Sequence, residues 1–310
     1  MGELTATGER NQAGIGGGPD QAGGTITING GTITASGGEA GAGIGGGHRG
    51  AGGTITINGG TVTATSPDGG AGIGGGYYQA AGGIITINGG TITASSASSG
   101  AGIGGGGNGG AGGTITINGG TVTATSSGGM FVGAGIGGGS SGGSNGTFAA
   151  NGNALIIASS ISDNGEDKKA SWSGVIFEGD NGRVYGDSFT LTTDAEIPSG
   201  KTLEIEAGKT VTIDSGVTLT NNGAITGTGT LTGSGTLTGS GTIAGTINNT
   251  FLKESMVTVS FEGEGVSGDT VSYGSSITIK ATVQQKVNAL SAQPTQWTFT
   301  WATRNRADRS

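Results

Sequence analysis

Cysteine is absent from this chain, and proline occurs only 4 times in 310 residues. Without cysteine there is no disulfide framework and no thiolate metal centre. That fits an exported protein of an organism that avoids disulfides and a cytosolic protein equally well. Charge is scarce too, with 11% charged residues, a net charge of −8 and no basic patch, which excludes a nucleic-acid partner. No apolar run approaches the ~20 residues needed to span a bilayer, so no membrane insertion is expected of this stretch. A secretory leader is missing. However, Leu4-Thr5-Ala6-Thr7 matches the end of a repeat, as in Thr61-Val62-Thr63-Ala64-Thr65. The chain is therefore expected to begin inside a repeat, and the missing leader carries no message about the parent protein.

What the chain has in abundance is glycine, 75 residues of it. There is no strict third-residue period and almost no proline, so collagen is excluded. Composition alone would place the chain among disordered proteins. Repetition argues otherwise. Gly23-Gly24-Thr25-Ile26-Thr27-Ile28-Asn29-Gly30-Gly31-Thr32-Ile33-Thr34-Ala35 returns at 52–64, 82–94 and 112–124. Ala13-Gly14-Ile15-Gly16-Gly17-Gly18 recurs from Ala42, Ala71, Ala101 and Ala134, at steps of 29, 29, 30 and 33 residues. Self-similarity at this period marks a solenoid.

In Thr25-Ile26-Thr27-Ile28 polar and apolar residues alternate, the period of a strand with one buried face. Asn29-Gly30-Gly31 then turns the chain, and Thr32-Ile33-Thr34-Ala35 forms a second strand with Ile33 and Ala35 inward. Ile15 adds a third inward side chain. One unit cannot hide its isoleucines, but stacked units can. Ile26, Ile55, Ile85 and Ile115 should form one column, Ile28, Ile57, Ile87 and Ile117 another, and Ile15, Ile44, Ile73, Ile103 and Ile136 a third. The expected fold is all-β: a parallel β-helix of about 29–30 residues and three short strands per coil. Asn29, Asn58, Asn88 and Asn118 line up at the first turn, where stacked amides can bond along the column. Internal asparagine ladders are a recurring device of parallel β-helices, so the resemblance supports the coil; the alternative is a plain turn asparagine in each copy.

Two stretches vary between copies of the 1–143 array. One follows the glycine triplet: Pro19-Asp20-Gln21, His48-Arg49-Gly50, Tyr77-Tyr78-Gln79, Gly107-Asn108-Gly109. The other follows the second strand: Gly37-Gly38-Glu39, Ser66-Pro67-Asp68, Ser96-Ala97-Ser98 and a longer stretch through Met130-Phe131-Val132. Changing loops on a fixed frame are where specificity usually sits. His48, Arg49, Tyr77 and Tyr78 should be neighbours on adjacent coils, with Asn108 one coil on. Aromatic faces flanked by hydrogen-bonding groups suit sugar rings, so these five are the candidate ligand-binding residues. Drift at solvent-exposed loops is the competing reading.

Residues 144–250 are expected to continue the solenoid, first irregularly and then with a shorter unit. Ala154-Leu155-Ile156-Ile157-Ala158 and Ser173-Gly174-Val175-Ile176-Phe177 read as buried strands, and Trp172 and Phe177 bring bulk that the array lacks. Asp163-Asn164-Gly165-Glu166-Asp167 is rich in oxygen ligands but lacks EF-hand spacing, so an ordinary charged turn is expected there. From Lys201 to Lys209 to Val217 the repeat steps by eight, then by six at Gly229 and Gly235, as one strand per side of a tightening solenoid would. Glu204 and Glu206 share one face, alternating with Leu203 and Ile205, which reads as a solvated strand face rather than a glycosidase pair. In 251–310, Ser255 to Phe261, Ser276 to Val283 and Gln296 to Trp301 read as alternating strands. A turn falls near Gly265 to Asp269, and about 60 residues amount to a partial sandwich.

The Gly-Ala-Gly-Ile-Gly-Gly-Gly and Gly-Gly-Thr-Ile-Thr-Ile-Asn-Gly-Gly-Thr repeats, the Trp172 to Phe177 stretch and Ile197-Pro198-Ser199-Gly200-Lys201-Thr202 resemble large surface proteins of gut-type Gram-positive bacteria. That resemblance implies a β-helical array followed by an immunoglobulin-like module, located in the cell wall or outside the cell. More distantly, the chain is similar to β-helix proteins that bind plant polysaccharides and carry calcium at acidic turns, which this chain lacks. The resulting expectation is a non-catalytic adhesion module contacting polysaccharide or host glycan, without cofactor or metal. A purely structural stalk, a polysaccharide lyase or hydrolase, and an ice-binding threonine ladder are the alternatives. Lyase or hydrolase chemistry needs clustered Asp, Lys or Arg on a strand face, and the array strands carry Thr, Ile, Val and Ala.

Overall fold

The computed structural model describes residues 2–128, 131–162 and 169–250, and beyond them the backbone of four short strands between 256 and 284. After β1 (Glu3–Thr7), each coil lays down a two-residue strand, a glycine-rich turn, a four-residue strand, the Asn-Gly-Gly corner and a longer strand. The first full coil is β2 (Ile15–Gly16), β3 (Thr25–Ile28) and β4 (Thr32–Ser36). The next two are β5 (Ile44–Gly45), β6 (Thr54–Ile57) and β7 (Thr61–Ser66), then β8 (Ile73–Gly74), β9 (Ile84–Ile87) and β10 (Thr91–Ser96). In the fourth, β11 (Ile103–Gly104) precedes β12 (Thr114–Ser126), which runs through the corner unbroken; β13 (Ile136–Gly137) and β14 (Thr147–Ala158) close the array.

Pairing between coils is parallel and keeps the expected columns. Ile26 faces Ile55, which faces Ile85, which faces Ile115, and that column ends on Phe148. Ile15, Ile44, Ile73, Ile103 and Ile136 stack the same way. Interior members such as Ile55, Ile57, Ile85 and Ile87 are fully buried, while Ile15 and Ile26 on the first coil are only partly covered because they have one neighbouring coil. Each fully buried isoleucine contributes roughly 1.5–3 kcal/mol. Between the isoleucine column and the next turn, Gly16, Gly45, Gly74, Gly104 and Gly137 hold φ near +131 to +136°. A Cβ on Gly45 would lie 2.0 Å from the Gly74 carbonyl oxygen. The coils stack this closely only because the position has no side chain.

The asparagine column is a ladder of side-chain amides, but an external one. Asn58 Nδ2 donates to Asn29 Oδ1 at 2.7 Å, Asn88 to Asn58 and Asn118 to Asn88 at 2.8 Å each. All four side chains are solvent-exposed. The reason is strand alternation: Asn29 follows the inward Ile28 and so points outward. A fifth rung exists at Asn151, which donates to Asn118 at 3.2 Å.

The chain does not simply continue beyond β14. Ala154, Ile156 and Ala158 of β14, with Ile176, belong to the core of the array. Their alternates Leu155 and Ile157, with Val175 and Phe177, belong to a second core on the opposite face of the same strands. One coil earlier that outer face carries Thr121 and Thr123, paired with Leu155 and Ile157. The solvent face of the array thus turns apolar within one strand, and the second half of the chain covers it. β15 (Gly174–Glu178) pairs parallel with β14, and β16 (Asn181–Tyr185) returns antiparallel to β15. Continuation with larger side chains therefore holds for the sheet, while the core changes sides. Phe148, Trp172 and Tyr185 close the first core, with ring centroids 4.9 and 5.5 Å apart in succession.

Three polar side chains pin this junction. β17 (Ser188–Leu191) has no strand partner on β14. Instead, the Asn153 side chain accepts from Thr190 N at 2.7 Å and donates to Thr190 O, as a neighbouring strand would. Lys201 Nζ donates to Gly179 O at 2.6 Å, at the tip of the hairpin. Lys209 Nζ donates to Val184 O and Gly186 O at 2.8 and 3.0 Å, at its far end.

β18 (Ala195–Ile197) and β19 (Thr202–Ile205) complete a three-sided coil with β17, and β19 pairs parallel with β16. β20 (Thr210–Ile213), β21 (Thr218–Asn221) and β22 (Ala224–Gly227) form the next coil. β23 (Thr230–Gly233), β24 (Thr236–Thr238), β25 (Thr242–Ile243) and β26 (Asn248–Asn249) follow. Paired positions Ser188, Thr210, Thr230 and Asn248 are 22, 20 and 18 residues apart, so the coil tightens as the repeat spacing predicts. Arg183 lies 3.8 Å from Glu204 and 3.9 Å from Glu206, on the solvated face expected for those carboxylates. Farther on, β27 (Met256–Glu262) pairs antiparallel with β30 (Thr278–Gln284), and β28 (Val266–Ser267) with β29 (Thr270–Val271). The strand expected at 296–301 and the acidic turn at 163–167 lie outside the described residues.

Candidate functional site

The candidate residues sit on the turn that follows each two-residue strand. Two glycines lead into it, and the next residues change from coil to coil. Asp20, Arg49, Tyr78, Asn108 and Ser141 occupy equivalent places and all have φ between 58 and 76°. A non-glycine residue at positive φ costs roughly 1–2 kcal/mol, and strain of this kind concentrates at functional corners. The turn is held by backbone hydrogen bonds to the next coil, Asp20 N to His48 O and Arg49 N to Tyr77 O at 2.8 Å each. Side chains from successive coils are thereby placed about one strand spacing, ~4.8 Å, apart.

Four of the five expected residues come into contact. The His48 ring stacks on Tyr77 with centroids 6.3 Å apart and planes at 29°. Tyr78 lies 6.3 Å from His48 and 6.2 Å from Tyr77. The Arg49 guanidinium carbon sits 5.1 Å from the Tyr78 ring centre, a cation–π distance. Asp20, one coil before, places a carboxylate oxygen 4.0 Å from His48 Nδ1 and 3.9 Å from Arg49. Tyr78 is 43% exposed, so an aromatic surface with a cation beside it faces solvent.

Asn108 does not touch this cluster. It lines a groove of about 480 Å³ together with Tyr77, Asp68, Ser98, Ser99 and Phe131, and with Ser140 and Ser141 at its end. The groove is built from both variable stretches, because the loop after the second strand folds back beside the glycine-rich turn. Tyr77 packs so closely there that a Cβ on Gly69 would meet its ring at 2.4 Å. Phe131 is 62% exposed at the rim. Ser140 is buried, and its hydroxyl has no hydrogen-bond partner among the described residues.

Sequence reasoning placed the two variable stretches separately and so missed that Asp68, Ser98, Ser99 and Phe131 share a surface with Tyr77 and Asn108. The signal was present in the period itself. Two segments that vary at fixed offsets in every coil must each form a continuous stripe, and here the stripes are adjacent. Among the described residues no group of three or more His, Asp or Glu side chains is arranged to hold a metal ion.

A family model described as a beta helix repeat matches residues 2–19, 26–48, 55–77, 85–107 and 115–140, a little over a third of the chain. Each match lies within one coil, and the segments contain His48, Tyr77 and Ser140, while Arg49 and Tyr78 fall between them. No curated protein and no solved structure matches the chain.

Proposed function

We propose that this β-helix repeat protein is a non-catalytic glycan-contacting module of a cell-surface or secreted protein, its C-terminal strands belonging to an immunoglobulin-like module. The observation that carries the reading is the corner where His48, Arg49, Tyr77 and Tyr78 from two coils meet beside a polar groove. Sugar rings offer apolar C–H faces and a fringe of hydroxyls. An exposed tyrosine with a cation beside it, next to a groove of Ser, Asn and Asp groups, complements both. The frame suits a static role, since each coil is fixed by parallel pairing to two others and the variable side chains are held in register. Long, rigid presentation of such a stripe is useful for contacting a polymer, where several weak subsites act together.

The test is a carbohydrate array probed with the chain and with a Tyr77→Ala/Tyr78→Ala variant. Retention of one class of polysaccharide or mucin glycan by the parent chain, lost in the variant, is expected. Equal retention by both, or no retention by the parent chain on any glycan, would remove the contact role and leave a structural stalk.

A further inference from the structure

A second cleft lies at the junction of the two cores, well away from the corner. It has a volume of about 320 Å³ and is lined by Lys169, Trp172, Arg183, Tyr185, Glu206 and Lys209, with three backbone neighbours. The chain has only 13 lysines and arginines against 21 acidic residues, yet three of the cations line this one cleft with one carboxylate, Glu206, while Glu178 and Glu204 lie beside Lys169 and Arg183 at 3.2 and 3.8 Å.

Two donors there have no protein acceptor at hydrogen-bond distance among the described residues, the buried Trp172 indole and the solvent-facing Arg183 guanidinium. Trp172 is 3% exposed, and its Nε1–H has no hydrogen-bond partner among the described residues. A buried polar group in that state costs roughly 1–3 kcal/mol. The guanidinium of Arg183 is 3.8 Å from Glu204 and 3.9 Å from Glu206, too far for either carboxylate to close its fork with a hydrogen bond. Lys209 Nζ is 3.9 Å from Glu206. The indole faces are already covered, by Phe148, Tyr185 and Lys169, so stacking is not what the tryptophan offers. What remains is its N–H, on a residue that lines the same cleft as Arg183, Lys169 and Lys209.

We infer that this cleft binds an oxyanion group carried on a single sugar unit, a uronate carboxylate or a sulfate ester. A planar guanidinium binds carboxylate and sulfate through paired hydrogen bonds, and the Trp172 N–H, sealed from solvent behind it, gains an acceptor if a small side-chain shift admits the anion. The volume leaves room for one ring beside the charged group. Glu206 is the built-in competitor, since it lies 3.9 Å from both Arg183 and Lys209, while Lys169 is paired with Glu178 at 3.2 Å. This site rests on residues distinct from the corner, so it stands or falls separately from the glycan-contact reading.

The test is a titration of the full ¹⁵N-labelled chain followed by NMR. The chain has 3 tryptophans, and Trp172→Phe identifies the indole N–H signal of Trp172 by its disappearance. Sodium glucuronate, glucose 6-sulfate, sodium sulfate and glucose are the probes. Glucuronate or glucose 6-sulfate should shift that signal saturably while glucose leaves it in place, and whichever acts identifies the source of the oxyanion. Arg183→Gln should weaken binding about tenfold or more. Glu206→Gln should tighten it several-fold, a gain that no loss of folding can imitate. The Tyr77→Ala/Tyr78→Ala variant should bind unchanged. A motionless indole signal, an equal shift with glucose, or affinity indifferent to both Arg183→Gln and Glu206→Gln would overturn the assignment. Inorganic sulfate binding as tightly as the charged sugars would overturn its sugar-sized part.

Discussion

Replacing Gly74 by alanine tests the packing principle of the array at its tightest point. Gly74 holds φ at +136°, and an added Cβ would lie 2.0 Å from the carbonyl oxygen of Gly104 on the next coil. A side chain in that backbone region costs about 1–3 kcal/mol. The clash cannot be relieved by rotating a flexible group, because the obstacle is backbone. The third and fourth coils must part locally, and the hydrogen bonds Gly75 N to Gly104 O at 2.9 Å and Ile73 N to Gly102 O at 3.0 Å are the first affected. Each is worth about 1 kcal/mol. Alanine regains only about 0.4–1 kcal/mol by restricting the unfolded chain. A net loss of about 2–4.5 kcal/mol follows. Gly59→Ala is the internal control: its Cβ would meet only Asn29 O at 3.7 Å, an ordinary contact, and the change should stay within about 0.5 kcal/mol. Urea unfolding followed by far-UV circular dichroism gives the overall effect. Amide exchange at Gly75 and Ile73 gives the local one, which matters because repeat arrays need not unfold as one unit. If Gly74→Ala loses less than about 1 kcal/mol, or no more than Gly59→Ala, the close approach of coils is not what that glycine column serves.

Ile85→Ala removes a fully buried side chain stacked between Ile55 and Ile115, and should cost about 2–5 kcal/mol in urea unfolding. Asn88→Ala cuts two amide bonds of 2.8 Å, but on an exposed corner; a loss of only about 0.5–1.5 kcal/mol is expected, and a larger one would mean the ladder carries more of the stack than its solvation allows. Asn153→Ala leaves the backbone of Thr190 without its side-chain partner, so amide exchange at Thr190 should accelerate about tenfold or more while protection at Ile85 is unchanged.

The array was legible because its determinants are local and repeated. Alternation in Thr25-Ile26-Thr27-Ile28 sets the inward face, and the recurrence of identical residues sets the register, so the columns through Ile55, Ile87 and Ile103 could be written down without coordinates. The same alternation places Asn29 outward after Ile28. The contact among His48, Arg49, Tyr77 and Tyr78 followed from the period alone. The groove did not, because bringing Asp68 beside Tyr77 depends on how the loop after β7 folds back, which no spacing encodes. The exchange of cores was hidden for a different reason. Leu155 and Ile157 look like part of an uninterrupted apolar run with Ala154, Ile156 and Ala158, and such a run says that both faces are covered without saying by what.

The reversal at the β15–β16 hairpin bears on the hand of the whole winding. The sense of a coil is fixed by three directions: that of the strand, that of advance along the axis, and that pointing to the interior. The hairpin inverts the first, the transfer of the core from Ile156 to Leu155 and Phe177 inverts the last, and the order of strands in the shared sheet leaves the advance unchanged. Two inversions cancel, so both solenoids turn the same way. Either change alone would have forced one of them into the mirror-image crossover that L-residues almost never adopt between parallel strands. A turn-back in the chain and a seemingly superfluous pair of aliphatics on an outer face are thus two halves of one chiral requirement.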